Sequence, residues 1–291
     1  MPFRVVRVSE GAIPSLRVRH TAPMIPRGRA WYTLAMALDP LAAFRLDDKV
    51  AVLTGASSGL GARFARVLDG LGASVVLAAR RTDRLEALAG ELRSALTVRC
   101  DVAEAGANDD LVATAVDRFG RLDVVVANAG VADVAPAVRE SVESFAHVVN
   151  IDLTAQFALA KAAAGVMKGQ PEGGTIVNIA SAAAFGSTTL LPQASYVAAK
   201  TGLVGLTREL ALQWSRYPIR VNALCPGMFP SEMTALLVET DELRTAFEAD
   251  VPLKRVGRED ELDGALAFLA SPASSYMTGQ TLLIDGGMST I

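Results

Sequence analysis

The chain is poor in the residues that build covalently stapled or metal-held folds: of 291 residues, two are cysteine and two are histidine. Cys100 and Cys225 lie far apart, each in an apolar, strand-like run, which predicts buried thiols in a reducing cytoplasmic setting rather than a disulfide. With only His20 and His147 and no Cys/His cluster, zinc has no ligand set, and no metal is expected. No run of about 18 apolar residues occurs, so a membrane-spanning helix is excluded. Charge is also sparse, at 20% of residues, and nearly balanced at a net −3. That balance calls for neither nucleic acid nor an anionic membrane as partner.

What the chain does have is apolar mass, 51% of its residues, ample for a large core. Residues 1–45 stand apart. Arg4, Arg7, Arg17, Arg19, Arg27 and Arg29 sit against Glu10, with Pro2, Pro14, Pro23 and Pro26 between them. This segment lacks the apolar stretch of a secretory signal and is expected to be a loosely ordered extension, with an Arg-rich leader or a start ahead of Met36 as alternatives.

From residue 46 to 291 a single domain is expected. Short β-branched runs, "KVAVLTG", "SVVLAAR", "ALTVRCDV", "LDVVVANAG", "GTIVNIAS", "IRVNALCPG" and "TLLIDGG", read as strands. Between them lie segments with helical apolar spacing, such as "DRLEALAGELRS", where Leu85, Leu88, Ala89 and Leu92 share a side. Strands apolar on both faces and joined by helices imply an α/β fold, a Rossmann-like, doubly wound parallel sheet of about seven strands.

The first strand ends in "TGASSGLG", so Gly55, Ser57, Ser58, Gly59, Leu60 and Gly61 form a turn into a helix. Glycines there let backbone N–H groups approach a pyrophosphate at the positive helix end. No Lys-Ser/Thr follows, so this is not a Walker loop. The same letters satisfy G-x-S-x-G, and His147 lies downstream of Asp101 and Asp123, which formally permits a serine hydrolase using Ser57. Against that reading, His147 falls inside the helical stretch "SVESFAHVVNIDL", whereas a triad base belongs on a late loop.

At the end of the second strand an NAD-selective site carries an acid for the ribose hydroxyls. Here Ala79 stands in that position, followed by Arg80 and Arg81. Guanidinium groups match a 2′-phosphate, so NADP(H) is expected to be preferred over NAD(H), with NAD(H) an admissible alternative.

Taken together, "TGASSGLG", "ANAG" at 127–130, "YVAAK" at 196–200, "CPG" at 225–227 and "DGG" at 285–287 resemble the classical short-chain dehydrogenase/reductase family, in order and over residues from about 46 to 291. The resemblance implies an oxidoreductase interconverting a ketone or aldehyde and a secondary alcohol by hydride transfer. It makes Tyr196 the general acid/base, Lys200 its partner and a ribose ligand, and Ser181 the hydrogen-bond donor to the substrate oxygen, with Ser187 as fallback. Positions four apart share a helix face, and an ammonium beside a phenol favours phenolate. Asp101 and Val102 become adenine contacts. Asn128, Ala129 and Gly130 lie along the cofactor, and Pro226, Gly227 and Ser231 face the nicotinamide.

One position departs from the pattern: Asp152 falls where the family has an asparagine. If a backbone carbonyl plays that role, Asp152 serves as well and the proton relay survives, which is the expectation. A carboxylate turned inward would instead weaken the field of Lys200 on Tyr196. Met228, Phe229, Met233, Leu236 and Leu237 suggest an apolar lid, or equally a core stripe, opposite "GSTTLLPQ". Family likeness also implies a homotetramer, or a homodimer, built from the late helices and the C-terminal strand. A catalytically silent dinucleotide sensor is the rival reading.

Overall fold

In the computed structural model, which describes residues 39–187, 190–235 and 240–290, all seven β-branched runs become strands. These are β1 (Val50–Thr54), β2 (Ser74–Ala79), β3 (Ala95–Arg99), β4 (Val124–Ala127), β5 (Gly174–Ile179), β6 (Ile219–Pro226) and β7 (Thr281–Ile284). They pair in parallel as one sheet, ordered β3-β2-β1-β4-β5-β6-β7. Among the described residues the intervening helices are α1 (Gly59–Gly70), α2 (Thr82–Ala89), α3 (Ala107–Phe119), α4 (Val142–Val149), α5 (Ala155–Met167), α6 (Ala194–Trp214), α7 (Asp241–Asp250) and α8 (Asp263–Ala270).

Alternate residues of each strand feed two separate cores, as the two-residue period of a strand requires. Ala51, Leu53, Val75 and Leu77 pack with Phe64 and Leu68 of α1 and with Leu266 and Leu269 of α8. Val50, Val52, Val76 and Ala78 pack on the other face with Leu111 of α3, Leu159 and Met167 of α5 and Leu210 of α6. Both sheet faces are therefore dry, which is why the strands read as continuous apolar runs.

The chain leaves β1 toward β2 and β3 on one side and returns to place β4 on the other. Helices diverge at that reversal, opening a crevice beyond the C-terminal ends of β1 and β4.

Two helices differ from the expected pattern. The one begun at Thr82 ends at Ala89, with Gly90 at its C-cap, because glycine is a poor helix former. Leu92 still packs against the core from beyond that end. The stretch after Val142 is interrupted by a π-turn over Asn150–Thr154 before α5 begins. Of the extension expected over residues 1–45, residues 1–38 lie outside the described residues, as do Thr188 and Thr189 of "GSTTLLPQ" and Leu236 and Leu237 of the suggested lid.

Candidate active site

The crevice is a cleft of about 410 Å³ whose floor is the glycine loop. Gly55 and Gly59 both adopt positive φ, +67° and +50°, which favours glycine. A Cβ on Gly61 would lie 2.1 Å from the Gly55 carbonyl oxygen, so α1 begins as close to the loop as backbone allows. Across the sheet reversal, Thr54 Oγ1 accepts from the backbone N–H groups of Asn128 and Ala129, both at 3.1 Å. Asn128 Nδ2 in turn donates to the Thr54 carbonyl at 2.9 Å. These bonds fix the β4 end against the loop. A cradle stripped of side chains at a helix N-terminus fits a dinucleotide pyrophosphate.

Every residue expected to hold a cofactor lines this cleft, from Gly55 through Ser231, and so do Ser181, Tyr196 and Lys200. At one end, beyond β2 and β3, lie Arg80, Arg81, Asp101 and Val102. Arg80 Nη1 stands 3.9 Å from Asp101 Oδ2, while Arg81 donates to Ser57 Oγ and Ser58 Oγ.

At the other end, Ser181 follows β5 and caps a short helical turn, its Oγ accepting from the Ala183 N–H at 3.1 Å. The fallback, Ser187, is exposed and does not line the cleft. Tyr196 and Lys200 occupy the first turns of α6, and Lys200 Nζ lies 5.5 Å from the Tyr196 ring centroid. Lys200 Nζ donates to the Ile179 carbonyl at 3.0 Å and pairs with Asp152 Oδ2, also at 3.0 Å.

Asp152, unlike Ser181, Tyr196 and Lys200, does not line the cleft. It is wholly buried behind it, its carboxylate turned inward, with Oδ1 accepting from the Val131 N–H at 2.8 Å. The π-turn carries Asp152 to this place, and Gly130 makes room for it: a Cβ there would sit 3.0 Å from Asp152 Oδ2. Burial pulls the Lys200 ammonium down, but the charges of Asp152 and Tyr196 outweigh it, and the net shift is upward. Lys200 is therefore a permanent cation at neutral pH.

Both thiols are buried. Burial pushes Cys100 up to about 11 and Cys225 up to about 12, and neither is in a disulfide. The hydrolase arrangement does not assemble. His147 is exposed on α4, away from the cleft, and Asp123 binds Arg121 and the Val50 N–H at the opposite, N-terminal edge of the sheet. Phe229 of the suggested lid is buried in the core with its ring against Gly257 while also lining the cleft, and Met233 lines the cleft half exposed.

Sequence reasoning missed three contributors. Thr54 ties the two strand ends together, and Gln156, buried, donates to the carbonyls of Ala129 and Ile151. Glu232 reaches across the cleft mouth to Arg81, Arg84 and Ser58. Its charge opposite two arginines was visible, but about 150 residues of sequence separate the partners.

A family model described as enoyl-(acyl carrier protein) reductase matches residues 55–289. A 3-oxoacyl-[acyl-carrier-protein] reductase of Rickettsia bellii is 36% identical over 244 residues, covering 84% of this chain and 98% of that protein. A trans-4-hydroxycyclohexanecarboxylate dehydrogenase of Sinomonas cyclohexanicum is 39% identical over 253 residues, 84% of this chain and 93% of its own. Among solved structures, a gluconate 5-dehydrogenase from Burkholderia cenocepacia J2315, in complex with NADP and tartrate, superimposes with a TM-score of 0.82 at 33% identity, covering 87% of this chain and all of that one. With a family model matching most of the chain and relatives above 30% identity over 84% of it, the chain belongs to the short-chain dehydrogenase/reductase family, oxidoreductases acting on CH–OH groups.

Proposed function

We propose that the protein is an NADP(H)-preferring oxidoreductase that interconverts a small ketone or aldehyde and the matching secondary or primary alcohol, with Tyr196 as general acid/base. The observation that carries this reading is the convergence of Ser181, Tyr196 and Lys200 on one end of a cleft whose other end presents Arg80 and Arg81. The relatives support it, since their names describe oxo or hydroxy compounds and one of them is a complex with NADP.

When bound, a nicotinamide supplies the hydride; the chain's own residues do the rest. The glycine loop would hold the pyrophosphate, and Arg80 and Arg81 would hold the ribose 2′-phosphate. Ser181 donates a hydrogen bond to the substrate oxygen, holding it beside the Tyr196 hydroxyl. Tyr196 gives its proton to that oxygen in reduction and takes it back in oxidation. Lys200, fixed by the Ile179 carbonyl and Asp152, keeps a positive charge beside the phenol ring and would also hold the nicotinamide ribose. The working unit is a homotetramer in the cytoplasm.

The test is NADPH oxidation, followed by absorbance, against a broad panel of ketones and aldehydes. Tyr196→Phe should lower turnover by about two to four decades while leaving NADPH binding intact. Wild-type protein that binds NADPH but reduces nothing across the panel would favour the sensor reading instead.

A further inference from the structure

Glu232 sits on the loop after β6, yet its partners all belong to the far wall of the cleft. Arg81 grips it bidentately, Nη1 to Oε1 at 3.1 Å and Nη2 to Oε2 at 2.9 Å. Arg84 Nη1 donates to Oε1 as well, and Ser58 Oγ donates to Oε2 at 2.9 Å. Arg81 completes its set through Ser57 Oγ and Ser58 Oγ, at 2.7 to 3.1 Å. These are two guanidinium groups and a loop hydroxyl converging on one pair of anionic oxygens. That donor set is the one a ribose 2′-phosphate needs.

We propose that Glu232 is a cofactor-specificity residue: its carboxylate competes with the 2′-phosphate for Arg81, Arg84 and Ser58, which restrains the preference for NADP(H) and admits NAD(H). The inference rests on the reading that Arg80 and Arg81 form the 2′-phosphate seat. A cofactor without that phosphate leaves Glu232 in place, so the arginines stay neutralised and no positive charge is stranded beside bare hydroxyls. A cofactor with it must displace a carboxylate first. Two features set the balance. The arginines hold the Glu232 carboxyl down at about 2, so it is a full anion at any working pH. Its side chain is 53% exposed, so each ion pair is weak and the clasp is displaceable by a dianion carrying three acceptor oxygens.

The clasp also joins the β6 loop to the glycine loop, so a purely structural role is the competing explanation. A structural tether would affect both cofactors alike; a competitor for phosphate affects only one. The experiment is therefore a ratio. Dissociation constants for NADPH, NADH, 2′,5′-ADP and 5′-AMP are measured on the full chain and on Glu232→Gln and Glu232→Ala. Competition requires both variants to raise the NADPH-to-NADH and 2′,5′-ADP-to-5′-AMP affinity ratios by about tenfold. Unchanged ratios, or equal loss for all four ligands, would overturn it. Arg81→Ala separates this failure from that of the underlying reading. If Arg81→Ala weakens 2′,5′-ADP while Glu232→Gln leaves the ratios alone, only the competition is wrong. If Arg81→Ala leaves 2′,5′-ADP untouched, the phosphate seat is elsewhere and both ideas fall.

Discussion

Lys200 carries its charge where charge is costly. It is 3% exposed, and burial alone would drive its ammonium toward the neutral amine. Asp152 at 3.0 Å reverses the direction, raising Lys200 above its ordinary value of 10.5. Because the folded value is the higher one, the contribution of the Lys200 charge is complete below about pH 10.5 and is lost as pH rises through the folded value. The same carboxylate cancels part of the field that Lys200 exerts on Tyr196, the inward arrangement for which the sequence reading expects a weakened field. Asp152→Asn separates the two effects. Breaking one side of a buried pair should cost about 3 kcal/mol in denaturant unfolding. The pH profile for alcohol oxidation should change as well, since the positive charge of Lys200 is no longer offset. A profile that stays put would mean that Asp152 only anchors Lys200. That Asp152 is unusual was legible from its position before the phenylalanine of "NIDLTAQF". That it turns inward was not, because the π-turn that redirects it has no signature in residue type; such turns insert one residue into a helix and recur at functional sites.

At the level of elements, the site is a product of where strands stop. The cleft residues cluster at the C-terminal ends of strands: Gly55 after β1, Arg80 and Arg81 after β2, Asp101 after β3, Asn128 after β4, Ser181 after β5 and Gly227 after β6. These positions were legible because parallel strands buried on both faces are unbroken apolar runs whose ends are marked by glycine, proline or charge. What joins them across space was not legible, since Thr54 to Asn128 and Arg81 to Glu232 are contacts between elements far apart in sequence. The glycine loop offers the sharpest test at this scale. Gly61→Ala would put a methyl 2.1 Å from the Gly55 oxygen and 2.8 Å from Asn128 Nδ2, both of them fixed atoms. Loop and helix must separate, opening the cradle. The expected outcome is at least about a tenfold loss of NADPH affinity by fluorescence titration, with the melting temperature lowered by only a few degrees because the packed face of α1, Phe64 and Leu68, is untouched.

For the whole molecule, the alternation of strands and helices predicts a doubly wound sheet but not the order of its strands, which depends on which face each crossover helix covers. The order found sends consecutive crossovers to opposite faces at β1 and β4, and this alone creates a cleft. The outer surface then carries its own information. Val142 and Phe145, three residues apart on α4, are 79% and 38% exposed, and Phe157 of α5 is 41% exposed. Apolar side chains of this size on two successive helices beside the site are costly to leave in water, and association of copies about a two-fold axis would cover them. The proposed homotetramer should therefore run in light scattering at four times the 30.5 kDa chain mass. Phe157→Glu combined with Val142→Lys should lower that mass if α4 and α5 meet their counterparts in a partner. A double variant that keeps the full mass would assign assembly to the late helices and the C-terminal strand instead, and a wild-type mass of a single chain would remove the assembly altogether.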